Sequence, residues 1–271
     1  LTYLTYLEKG AKKKYLLLTG FFFLLSLFSK AMAVTLPVVL LLLDYYRNRK
    51  LNIKALAEKL PFVLLSVVFA VIALNAQAHQ TEVTGIKPGN DWALTDRILF
   101  ASYGMVNYLT KMIIPFEMSA FYPFPEKTSG SFPMIFYISL IIVLGLIVLF
   151  WKLRKNKTVV FGILFFIVNL ALVSQLIPFG QALMADRFPY LAYIGIFFSG
   201  AVVLNNYFQV QTNGKRLFII TTLIIYFVFL GVTTNARTKV WQSTYTLWED
   251  VAKKFPANEK VAEMCAGIYS R

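Results

Sequence analysis

Residues 181–195 read QALMADRFPYLAYIG and set an acid beside a base, Asp186–Arg187, at the edge of an apolar run. An aromatic, a proline and a tyrosine follow: Phe188, Pro189 and Tyr190. On insertion scales, each charge at the middle of a membrane helix costs about 2.5–3.5 kcal/mol. A charged pair therefore persists at a membrane boundary only if it is solvated, holds other groups together or binds something. The rest of the chain reads as scaffolding that brings further polar groups to the same face.

Composition agrees with a membrane protein. Of 271 residues, 58% are hydrophobic, 16% aromatic and only 15% charged. Several apolar runs approach the length needed to cross about 30 Å of hydrocarbon. The formal charge of +14 would point to nucleic acid in a soluble chain. Here the basic residues sit in short loops between apolar runs, where the positive-inside rule accounts for them. The expected partner is the lipid bilayer, with no nucleic acid. The single cysteine, Cys265, excludes an internal disulfide, and the single histidine, His79, excludes a His-rich metal site. The chain begins at Leu1 and stops inside a helical pattern, so it reads as an internal piece of a longer protein.

Working outward, the pattern is all-α and polytopic. An amphipathic segment, 1–14, ends in Lys9, Lys12, Lys13 and Lys14. Two apolar stretches, 15–28 and 31–43, flank Ser29–Lys30 and are followed by Arg47, Arg49, Lys50, Lys54 and Lys59. Basic flanks at both ends predict a hairpin of two short helices whose tip, Ser29–Lys30–Ala31, points to the far side. Each arm is only about 20 Å long at 1.5 Å per residue, so the tip would sit in a cavity; one long kinked helix is the alternative. Residues 60–76 then cross outward, ahead of a polar loop with His79, Glu82, Lys87 and the turn Pro88–Gly89–Asn90. Residues 92–114, with Asp96, Arg97 and Lys111, form a mixed helix. As a span it would put Trp151–Lys157 on the outer face, against the charge rule, so an interfacial or re-entrant helix is expected. Residues 134–153 return, 158–176 go out, 188–205 return and 217–233 go out. The inner loops then carry only Glu8, Asp44 and Glu58 as acids.

Residues 1–235 thus read as a transmembrane domain and 236–271 as a separate helical region. Trp241, Tyr245, Trp248, Val251, Ala252 and Phe255 share one helical face. Pro256 and Asn258 open a second helix with Val261, Ala262, Cys265, Ala266 and Tyr269 on its buried stripe. Helix, proline, helix is how a tetratricopeptide array begins, and one such unit does not bury its own face.

Four blocks carry a resemblance. They are FSKAMAVTLP (28–37) with Leu41–Tyr45, Pro115 with SAFYP (119–123), ADRFPYL (185–191) with Ile194–Gly195, and Trp241, Trp248 and Pro256–Asn258. In this order they resemble the protein O-mannosyltransferase-like membrane proteins and their bacterial relatives, which join a glycosyltransferase-like domain to tetratricopeptide repeats. The chain departs from that pattern at Phe188 and Leu191, where a tyrosine-rich stretch is usual. The resemblance implies a GT-C-type fold in a bacterial inner membrane, with the repeats on the outer face. It implies sugar transfer from a polyprenyl-phosphate carrier to Ser or Thr of an acceptor protein, which the repeats would present. The family's catalytic carboxylate belongs to the first outer loop, expected ahead of Leu1. A non-catalytic membrane scaffold that assembles partners is the rival reading.

The chemistry of the residues fits such a donor. A departing phosphate must be gripped as its charge develops. Arg187 suits this, because a guanidinium offers two parallel hydrogen bonds and stays charged; a structural pair with Asp186 is the other reading. Lys30, a lone cation at the hairpin tip, is the second candidate phosphate ligand. Asp186 is expected to orient Arg187, with ligation of a divalent cation (Mg or Mn) and base catalysis as further roles. Tyr122 and Tyr190 are candidate sugar or prenyl contacts, against an interfacial aromatic belt.

Overall fold

The computed structural model describes residues 1–84, 92–127, 130–177 and 180–269. The turn Pro88–Gly89–Asn90, Lys87 and the side chains of His79, Glu82 and Tyr269 lie outside the described part. Among the described residues the regular structure is helical: α1 (Thr2–Glu8), α2 (Lys13–Ser29), α3 (Leu36–Tyr46), α4 (Ile53–Ala57), α5 (Leu60–Thr84) and α6 (Leu94–Ile113). Then come α7 (Met134–Leu153), α8 (Lys157–Ala171), α9 (Tyr190–Gln209), α10 (Asn213–Val240), α11 (Thr244–Lys254) and α12 (Glu259–Tyr269). Four segments are long and apolar enough to cross a membrane: Ile53–Gln77, α7, α9 and α10. The apolar stretches Ala31–Tyr46 and Lys157–Ala171 are shorter.

The surface of these helices says why. Helix α2 buries Thr19, Phe23 and Leu27, yet its outer line, Leu17, Phe21, Leu25 and Phe28, is also apolar and exposed. Helix α10 buries none of its residues although Leu217, Phe218, Ile224, Ile225, Phe227 and Val228 lie along it. Apolar surface of this extent is stable only against lipid or other protein.

Chain direction alternates. Phe23 meets Phe62 and Phe28 meets Phe69, so α2 and α5 run the same way. Tyr46 packs on Phe161 at one end of α3, while Thr35 bonds Asn169 at the other, so α3 and α8 are antiparallel. Helix α9 returns along α8, from Tyr193 on Phe166 to Ser199 donating to the Thr158 carbonyl. That pair is locked by small residues. A Cβ on Gly162 would lie 1.8 Å from Ser199 Oγ, and one on Gly195 would lie 2.6 Å from the Gly162 carbonyl oxygen. Without side chains between them the two backbones approach closely, as membrane helices do at small-xxx-small positions.

The expected hairpin is present. Helix α2 stops at Lys30, which is extended (φ −157°, ψ 127°), and a 3₁₀ turn, Ala31–Thr35, leads into α3 with Pro37 in its first turn. At the opposite end of α3, Asn48 takes a left-handed conformation (φ 57°). The Arg49 N–H then donates to the Asp44 carbonyl and the Asn48 N–H to that of Tyr45, a Schellman ending. This turns Arg49 back over Asp44, which is fully buried with Lys59 and accepts from Tyr3. Arg49 also pairs with Glu58 at 2.7 Å. Amphipathic α1 is thereby tied to α3, α4 and α5 by one buried ionic cluster.

Helix α6 is not among the helices apolar enough to span. Its contacts run across the Lys30 end of the bundle: Trp92, just before it, meets Phe132, Tyr103 stacks on Phe136, the Tyr108 carbonyl accepts from Tyr193, and the Ile113 carbonyl accepts from Tyr226. Its charges are used locally, with Asp96 on Lys127 at 2.9 Å, Arg97 on the Trp92 carbonyl and Lys111 on the carbonyls of Phe116 and Glu117.

At the C-terminus, α10 continues past the expected end at residue 233 and through the expected domain boundary to Val240. Trp241 caps that helix and does not join α11. The next helix begins only after Ser243, whose hydroxyl and that of Thr246 form a reciprocal capping box. In α12, Val261 and Cys265 are buried as expected, but Ala262 and Ala266 are exposed.

Candidate functional site

Two loops, one before α7 and one before α9, build the centre of the Lys30 end. They are joined by a short antiparallel bridge: the Tyr122 N–H donates to the Met184 carbonyl, and the Leu183 N–H to that of Tyr122. The Asp186 N–H donates to the Ser119 carbonyl, so the turn 186–189 is pinned before Tyr190 starts α9. Ala120, Phe121 and Ala182 then bury against Val251, Val261 and Cys265. The face of α11 and α12 is thus covered by these two loops.

Asp186 and Arg187 do not pair with each other, because successive side chains of the turn project apart. Arg187 Nη1 donates to the Ala120 carbonyl at 2.9 Å, and its guanidinium lies over the Phe188 ring at 5.3 Å. Asp186 Oδ1 accepts from Tyr122 at 2.9 Å, while Oδ2 is buried with no partner. The expected orienting role therefore falls to Ala120. Burial raises the Asp186 pKa; Tyr122, Lys111, Arg237 and the Ser119 backbone pull it back only in part. The same burial, with Asp186 close by, raises that of Tyr122.

A cavity of about 530 Å³ runs between α2, the 3₁₀ turn, α3, α8 and the start of α9. Lys30 and Arg187 both line it, 157 positions apart in the chain, with Tyr190 beside them. Lys30 has no hydrogen-bond or ion-pair partner for its amine among the described residues. The walls are mainly apolar (Phe22, Phe23, Leu36, Val39, Leu40, Phe165), and the cavity reaches Thr2 and Tyr3 towards the other end. Thr35 and Asn169 supply a buried polar point, with Thr35 Oγ1 donating to Asn169 Oδ1 at 3.0 Å. Sequence reading missed Asn169; its signal was a lone amide inside the apolar run of α8. Tyr190 is largely exposed, whereas Tyr122 is absent from the lining and packs on Phe255.

No carboxylate lines this cavity among the described residues. Nor do three or more Asp, Glu, His or Cys side chains gather anywhere among them, and Asp186, the expected cation ligand, lies outside the lining. No protein-family model, curated protein or solved structure matches the chain.

Proposed function

We propose that the cavity between α2, α3 and α8 receives a polyprenyl-phosphate sugar, and that the full protein transfers the sugar to Ser or Thr of an acceptor on the Lys30 side of the membrane. One observation carries this reading: two cations distant in sequence, Lys30 and Arg187, share one end of a tall, apolar-walled cavity beside membrane-length helices. A lipid phosphate matches that division, with its chain against Phe22, Phe23 and Leu36 and its anion at the cations. Arg187 keeps one guanidinium nitrogen on Ala120 and has the others for a phosphate. During transfer, the bond between anomeric carbon and phosphate breaks and the phosphate leaves with the electron pair, which Lys30 and Arg187 would stabilise. The acceptor hydroxyl oxygen forms the new bond to the anomeric carbon, and its proton passes to the departing phosphate, directly or through a general base of the full-length protein.

The test is transfer of radiolabelled sugar from lipid carrier to protein by the full-length chain. Arg187→Ala and Lys30→Ala should each weaken donor binding about 10- to 100-fold, as expected for losing a charged hydrogen bond, with the fold intact by circular dichroism. Normal transfer by both variants would refute the site. One observation favours a second reading. Among the described residues no carboxylate lines the cavity, so a scaffold that binds a lipid phosphate without turnover, and assembles partners through α11 and α12, fits the same geometry. Carrier binding without transfer by the full-length protein would establish it.

A further inference from the structure

The opposite end of the bundle holds a second concave site, unrelated to the cavity above. It has a volume of about 700 Å³ and lies between the end of α1, the Schellman turn after α3 and the start of α8. Its charged lining is Arg47, Arg49 and Lys157 against one acid, Glu8. Arg49 is already engaged by Asp44 and Glu58. Arg47 has one exposed partner, Glu8. Lys157 has no carboxylate at all among the described residues, only Asn48 Oδ1 and the face of Tyr45. The positive-inside rule explains basic residues in these loops, but not why two of them with weak partners face one hollow.

The surroundings distinguish between kinds of anion. A smaller hollow continues the site past Asn48, Arg49 and Lys157 to Leu51. Leu51 is 54% exposed and Ile53 87% exposed, and they lie between Lys50 and Lys54. Exposed apolar side chains between lysines suit the boundary where headgroups meet acyl chains, and a soluble anion has no use for them. We infer that this hollow binds the phosphate of an anionic phospholipid, with Arg47 and Lys157 on the phosphate and Leu51 and Ile53 beside the acyl chains. The lipid would fasten the α1, α3 and α8 ends together at the membrane surface.

The full-length protein, reconstituted in phosphatidylcholine nanodiscs with added phosphatidylglycerol, tests this by native mass spectrometry of the retained lipid. Phosphatidylglycerol should be retained over phosphatidylcholine. Lys157→Gln and Arg47→Gln should each lower that preference about fivefold, the usual weight of one cation near an anionic surface. Lys152→Gln and Lys155→Gln, on the same end but outside the hollow, should leave it unchanged. Lys157→Gln does not touch the buried Asp44–Lys59 cluster, and unchanged thermal unfolding in detergent identifies it as a folded variant. An equal loss in the control variants would overturn the site in favour of diffuse surface charge. Displacement of the lipid by millimolar inorganic phosphate would assign the hollow to a soluble anion, and no preference for phosphatidylglycerol would remove it altogether.

Discussion

Asp186 is the residue at which stability and chemistry pull apart. Its carboxyl is half-buried, bonded once, and left with one oxygen unpaired. Because burial raises its pKa above the ordinary value, the folded state holds the proton more tightly than the unfolded chain. Ionised Asp186 therefore disfavours folding at neutral pH, and this penalty fades as pH falls through the raised value. Asp186→Asn should melt at a higher temperature than wild type at pH 7, with the gap closing at acid pH; a lower melting point across the whole range would refute this account. Destabilised polar groups of this sort are characteristic of functional positions. The sequence marked Asp186 and Arg187 as unusual by their place at the edge of an apolar run. It could not show that they serve different neighbours, because the direction of each side chain depends on where Ala120 and Tyr122 lie, some 65 positions earlier.

At the scale of elements, two contacts should dominate. Gly195 lets α8 and α9 touch backbone to backbone. Gly195→Leu should force them apart at a cost of about 1–3 kcal/mol or more, read as lost thermal stability in detergent. Gly231→Leu, where a Cβ would meet nothing within 4 Å, should be tolerated. The Asp44–Lys59 pair is the second contact. Lys59→Met leaves a buried carboxylate without its closest cation and should destabilise by about 3–5 kcal/mol, whereas the double change Asp44→Leu/Lys59→Met should recover much of the loss. A double variant as unstable as the single one would mean that Arg49 and Tyr3, not the charge pair, carry the cluster. Helix positions were readable because apolar runs and breaks are local signals. Lys30 interrupts one such run and the hairpin turns there. The end of α10 was misread because its last turns are polar, so hydropathy falls before the helix does. Asp44 reads from sequence as an inner-loop acid, yet it is the hub of a buried network with Tyr3, Arg49 and Lys59.

Across the whole molecule, the C-terminal helix pair packs on the loops at the Arg187 end of the bundle. Phe121 packs on Trp248, Tyr122 on Phe255, Arg237 pairs with Asp250, and Lys254 bonds Asp250 and the Met118 carbonyl. Trp248→Ala should therefore loosen the loops before α7 and α9 as well as α11, raising hydrogen exchange at residues 118–122 and 182–186. Tyr245→Ala, at an exposed position, should not. Exchange confined to α11 and α12 would show that the pair is only tethered.

Local sequence was enough to set an all-helical, membrane-type chain, the break at Lys30, the basic character of one end and a C-terminal helix pair divided at Pro256, though not where its first helix begins. These follow from periodicity, run length and capping, which are properties of neighbours. Tertiary packing alone decided that Lys30 and Arg187 share a cavity, that Tyr122 belongs with Asp186 outside it, and that the helix pair closes over the loops. Those are contacts between residues tens to more than a hundred positions apart, fixed by how apolar helices pack and by which buried polar groups find partners.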